Sequence, residues 1–210
     1  MPAPRLCRPL AALLLVLLIP ASPAVAAADR RPPPRQFSNM YPTPNTPWRC
    51  QSSRPPRAVF CQTDNSWLSV AADPTISRAD AAVIIRTLGQ LRGTHLKVYG
   101  ERAVTTGRVR TDIVYQRRRL FPSQVLGETW CTHAASAIRC DQHIVRFQAG
   151  IPLRPSVVCH ETGHAVGLTH GHEAFPRVPN DDPALGCMRT PDSGDGTYGA
   201  HNLAEINHTY

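Results

Sequence analysis

Past residue 48 the apolar positions of the chain follow two rhythms. Short alternating or β-branched runs at 58–62, 67–71, 96–99, 112–115, 128–131 and 143–147 predict strands. Of these, Ile144-Val145-Arg146-Phe147 alternates best, and the polar residues 63–66 predict a turn between the first two. A different period separates the second run from the third: Ala81, Ile84, Ile85, Leu88 and Leu91 recur at helical spacing. Ser77 is the expected N-cap, Asp80 three residues on imitates a capping box, and Gly93 is the expected stop. Residues 150–155 read as a loop, after which Pro155 or Ser156 opens a second helix with Val157, Val158, Ala165 and Leu168 as its apolar contacts. Leu203, Ile206 and Tyr210 share one face of a last helix over 200–210. Strands with one early helix, followed by further helices, predict an α+β domain.

Before residue 48 neither rhythm is present. Arg5 and Arg8 precede a short apolar run at 10–19, and Ala24-Val25-Ala26 or Ala26-Ala27-Ala28 offers a small-residue cleavage site. This predicts a secretory signal peptide over 1–28, too short to span a bilayer. Residues 29–47 contain Pro32, Pro33, Pro34, Pro42, Pro44 and Pro47, which predict an extended, mobile leader. The folded domain is then expected over 48–210, long enough for one hydrophobic core. Composition adds a compartment. The formal net charge is +8, falling to about +6 once the two arginines of the signal are removed. Lys97 is the only lysine, and the arginines are scattered apart from Arg117-Arg118-Arg119. A solvated basic surface follows, with loose attachment to anionic cell-wall polymers as one use of it and no nucleic-acid motif. Beyond Cys7, Cys50, Cys61, Cys131, Cys140, Cys159 and Cys187 form an even set in an exported chain, which predicts disulfides. Spacing does not fix their connectivity; sequential pairing is expected because Cys50–Cys61 and Cys131–Cys140 would close short hairpin-like loops. A freely secreted monomer without stable membrane association is the expected product.

The chemistry is concentrated in residues 157–172, VVCHETGHAVGLTHGH. His160 and His164 lie four residues apart, so on a helix both imidazoles reach one metal. Glu161 stands beside such a metal and is placed to take a proton from water. Gly167 tolerates the left-handed turn that ends a helix and brings His170 back as a third ligand. His172 has a different offset and fits an outer or solvent role. Three nitrogen ligands leave a fourth position open on zinc, the arrangement of catalytic sites. The run resembles the metzincin signature H-E-x-x-H-x-x-G-x-x-H at His160, Glu161, His164, Gly167 and His170. The resemblance implies a twisted mixed sheet backed by helices, with a small lower subdomain ending in a helix. It also implies Met188, in Leu185-Gly186-Cys187-Met188, as the methionine turn under the ligands, and a Cys159–Cys187 disulfide would tie the ligand helix to that floor.

By order of elements the chain is most similar to the matrixins. His201 and Asn202 stand where those domains carry aspartates that brace the methionine turn, and Thr190 replaces the zinc-binding tyrosine of astacins and serralysins. The resemblance implies a zinc-dependent endopeptidase that pairs an extended protein or peptide substrate with an edge strand at 128–131. The loop 189–201, with Arg189, Tyr198 and His201, would wall the primed side. A zinc-stabilised binding module without turnover is the alternative from another class, and a zinc hydrolase of non-peptide substrates a third. The segment DSGDG at 192–196 reads as a turn, since it lacks the ligand spacing of a calcium loop.

Overall fold

In a computed structural model the described residues are 37–53 and 60–210. The expected signal peptide, and the expected leader as far as residue 36, lie outside them. The domain is α+β: a six-stranded sheet with its helices, mostly parallel. The strands are β1 (Gln62–Thr63), β2 (Trp67–Ala72), β3 (Lys97–Gly100), β4 (Ile113–Arg118), β5 (Gly127–Ala134) and β6 (Arg139–Gln148). The helices are α1 (Arg78–Leu88), α2 (Pro155–Ala165) and α3 (Gly199–Thr209), with 3₁₀ segments at Gly89–Gly93 and Pro183–Met188.

The sheet order is β1-β6-β4-β2-β3, and β5 joins β6 as the one antiparallel strand. Parallel neighbours need long crossovers, and α1 supplies one between β2 and β3. Only β5 and β6 form a hairpin, stapled by Cys131–Cys140 with Cα atoms 5.8 Å apart. β1 and β2 flank the predicted turn but do not pair with each other. β1 runs parallel to Arg139 and Cys140 of β6, while β2 sits centrally between β3 and β4. Residues 58–59 of the first predicted strand fall outside the described residues, and Phe60 and Cys61 are not part of β1.

Helix α1 begins as expected, with the Ser77 hydroxyl accepting from the Asp80 N–H. It ends at Leu88 rather than Gly93. Gly89 tightens the chain into a 3₁₀ turn that keeps Leu91 buried. Ile85 corrects the expected apolar face, since it is 65% exposed while Ile84 and Leu88 are buried. Those two pack with Leu68, Ile113, Tyr115, Val145, Phe147, Val157 and Val158 in the main core between sheet and helices. Tyr115 stacks on Phe147, and its hydroxyl meets Thr162 Oγ1 at 2.9 Å, which ties the sheet to α2.

The expectation of a mobile leader as far as residue 47 does not hold where the structure describes it. Residues 37–40 run alongside the domain and residues 41–47 bend and turn, with Thr46 N–H donating to Thr43 O at 3.0 Å, and the whole segment packs against the domain. Phe37, Met40 and Tyr41 are buried, and Ser38 and Met40 form bridges to Phe175 and Leu168. The Asn39 amide donates to Thr169 O at 2.9 Å, and Tyr41 N–H to Gly167 O at 2.8 Å. Three apolar side chains among the prolines offset the ordering entropy that a polar leader would not. The folded domain therefore begins by residue 37.

One buried histidine lies apart from the motif. His143 on β6 is 1% exposed, and neither ring nitrogen has a partner among the described residues. Burial alone holds its pKa down from 6.5 to about 3. Because the folded value is depressed, the unfolded chain binds the extra proton first. Stability present above pH 6.5 is therefore lost as pH falls toward 3, by at most about 5 kcal/mol. We expect His143→Leu to flatten this acid limb in urea unfolding midpoints measured from pH 7 to pH 4. Parallel acid losses in variant and wild type would show that His143 does not carry the effect.

Candidate metal centre

Pro155 stands at the first position of α2, where a missing N–H costs nothing, and Arg154 takes the cap position with extended backbone. The helix is buried on most of its circumference, as befits an element enclosed by sheet and floor. Gly167 follows with φ +96°, the left-handed turn that carries the chain round to His170. A side chain at Gly167 would also strike Met40 Sδ, 2.9 Å from the place of a Cβ, so the turn and the N-terminal segment require the same glycine.

The three predicted ligands meet. His160 Nε2 lies 3.1 Å from His164 Nε2 and 3.2 Å from His170 Nε2. Their second nitrogens are engaged elsewhere: His160 Nδ1 donates to Cys187 O at 2.8 Å and His164 Nδ1 to Leu168 O at 2.8 Å. Those carbonyls can only accept, so each Nδ1 carries the proton and each Nε2 presents a lone pair. His170 Nδ1 stands 3.3 Å from Glu173 Oε2. Burial holds His160 down to about 4 and His164 well below its ordinary value, with His170 adding to both. Three imidazole nitrogens within 4.8 Å of one another fit a tetrahedral cation such as zinc. His172 is exposed, and its backbone N–H donates to Asn180 Oδ1.

Glu161 lies beside this cluster, not within it. Its Oε2 accepts from Thr129 Oγ1 at 2.7 Å, and the same hydroxyl reaches Glu161 O at 2.9 Å. Burial pushes its carboxyl up to about 7; the Thr129 hydrogen bond opposes that shift and the nearby Glu128 charge adds to it. A base poised near neutrality is what proton transfer at pH 7 favours. The start of β5 crowds it: a Cβ on Gly127 would fall 2.5 Å from Glu161 Cγ and 2.7 Å from Oε1. A cleft of about 220 Å³ opens here, lined by His160 and Glu161 with Gly127, Val157, Arg189 and Asp192 among its walls.

Met188 is fully buried beneath α2. A Cβ at Gly163 would lie 2.3 Å from Met188 Sδ, so helix and thioether approach as closely as glycine permits. Cys159 and Cys187 are joined, and with Cys50–Cys61 and Cys131–Cys140 all three expected pairs are at bonding distance. Asn202 is buried between the segment before Met188 and the N-terminal segment. Its Nδ2 donates to Leu185 O at 2.6 Å, and its Oδ1 accepts from Asn39 Nδ2 at 3.3 Å. Of the loop expected to wall the primed side, Arg189, Thr190 and Asp192 line the cleft. Tyr198 is buried near Gly163, and His201 packs on Phe37 at a ring distance of 4.2 Å.

Sequence reasoning passed over Gly127, Thr129, Gly163, Glu173 and the aromatic pair Trp48 and Phe60. Gly163 carried a readable signal, a glycine inside a helix where alanine is intrinsically better. Segment 192–196 is a pair of turns: Asp192 Oδ1 accepts from Gly194 N–H and Asp195 Oδ1 from Thr197 N–H. Arg154 pairs with Asp192 at 2.7 Å, so that carboxylate is already satisfied. Comparison with protein-family profiles returns no match for this chain, and a search of curated proteins returns none either.

Proposed function

We propose that this chain is a zinc-dependent endopeptidase of the metzincin class, matrixin-like in pattern, that acts outside the cell. The observation that carries the reading is the convergence of three Nε2 atoms beside a buried carboxylate that lines an open cleft. A purely structural zinc site has no use for Glu161 at that place. Export is supported by the predicted signal peptide and by three disulfides. No helix among the described residues is long and apolar enough to cross a membrane.

In this reading His160, His164 and His170 hold the zinc ion, which when bound would supply Lewis acidity and a more acidic water. On the side away from β6 the later part of β5 is already engaged, Ser53 N–H donating to Cys131 O at 2.8 Å and Ala134 N–H to Ser52 Oγ at 3.0 Å. The first residues of the strand, before Cys131, are the ones left to offer N–H and C=O groups to an extended peptide. The cleft beside Glu161 takes a substrate side chain, with Arg189 at its wall. Glu161 accepts the proton of the attacking water on its carboxylate and returns it to the leaving amine. Thr129 Oγ1 holds Oε2, so the other oxygen is left to face the cleft, and Gly127 leaves it room.

The mature protein should carry one zinc and cleave an unstructured protein such as casein. Chelation with phenanthroline should abolish cleavage, and added zinc should restore it. A zinc-replete protein that cleaves nothing across a broad peptide library would favour a binding module instead. Cleavage indifferent to chelation would remove the metal from the mechanism.

A further inference from the structure

The ligands His164 and His170 have a neighbour that belongs to no helix or strand. The Phe60 ring centroid lies 4.7 Å from that of His164, tilted by 32°, and 5.8 Å from that of His170, nearly edge-on at 80°. Trp48 packs behind it with centroids 6.1 Å apart. What fixes this pair is covalent. Cys61 directly follows Phe60, Cys50 lies two residues past Trp48, and the two cysteines are joined and buried. Phe60 thus touches the two ligands that the Glu161 cleft does not, whereas His160 lines that cleft.

We infer that Phe60 is a positioning residue of the metal centre, set in place by the Cys50–Cys61 disulfide. The inference rests on the zinc reading above. A hydrogen bond at Nδ1 anchors one corner of each imidazole but leaves the ring plane able to rock. An aromatic ring tilted by 32° on His164 and nearly perpendicular to His170 restricts that motion and keeps both Nε2 atoms near His160. The same ring excludes water from this side of the ligands, and a drier surround strengthens the attraction between donors and a cation. The aromatic ring matters, not bulk alone, because only a flat surface restrains a flat neighbour.

The test uses the full mature chain. Phe60→Leu keeps an apolar side chain and is the variant least disturbing to the loop; Phe60→Tyr keeps the ring. Zinc dissociation constants are measured by chelator competition, and absorption spectra are recorded with cobalt(II) in place of zinc. Phe60→Leu should bind zinc about tenfold more weakly, with altered cobalt bands, as losses in the surround of metal ligands typically do. Phe60→Tyr should match wild type in both. Unchanged affinity and spectrum in Phe60→Leu, or equal losses in both variants, would overturn the inference while leaving the zinc site standing. A wild type that binds no zinc at the three histidines would overturn both together.

Discussion

Glu161→Gln should retain its zinc and lose about a hundred- to ten-thousandfold in turnover. The substitution preserves length and shape, and it leaves His160, His164 and His170 untouched. It removes the only group in the cleft that is buried, close to the ligands and raised to about 7, where it exchanges protons readily at neutral pH. It also alters the Thr129 contact, because an amide oxygen can still accept from Oγ1 while the amide nitrogen cannot. The measurement pairs zinc content by atomic spectroscopy with kcat/KM on an unstructured substrate. Wild-type turnover in this variant would exclude Glu161 as the base. Loss of zinc would instead mean that Glu161 helps to hold the metal.

The opposite pattern is expected for His164→Ala, which should lose zinc and turnover together. Its imidazole is buried, donates to Leu168 O at 2.8 Å, and stands within ring contact of His160, His170 and Phe60. Two remaining histidines hold zinc poorly, and the Leu168 carbonyl is left without its donor. A readout independent of activity is the thermal midpoint with and without zinc. A ligand at a hundred times its dissociation constant stabilises the folded state by about 2.7 kcal/mol. Wild type should show that zinc-dependent rise and His164→Ala should not. An equal rise in both would place the zinc elsewhere on the chain.

The motif is legible in sequence because its geometry is local. An i, i+4 pair on a helix, a glycine that ends it and a ligand three residues further on each need only the chain's own periodicity. The same holds for Ser77 capping α1 and for Pro155 opening α2. Partners brought from afar leave no such trace. β6 receives β1, β4 and β5 from positions up to 77 residues earlier, as the Gln62–Arg139 pairing spans 62 to 139. Thr129 becomes the holder of Glu161 only because β5 packs against α2. The N-terminal segment misled for a related reason. Its prolines determine backbone shape, whereas Phe37, Met40 and Tyr41 decide whether that shape finds a surface. The Asn202 amide that holds the segment before Met188, by donating to Leu185 O, is likewise brought from a separate helix.

The bond between Cys159 and Cys187 has a consequence for how the domain survives a break in its backbone. It closes a ring of chain with a sequence separation of 28, and His160, His164 and His170 all lie inside that ring. The most exposed backbone of this region, around residues 175–184, is inside it as well. A single nick there opens the ring without releasing either end, so both fragments stay attached through sulfur. Every ligand then remains upstream of the cut on α2 and its following turn, while Met188 stays bonded in place below. Damage beside the histidine cluster is converted from dissociation into a local loosening.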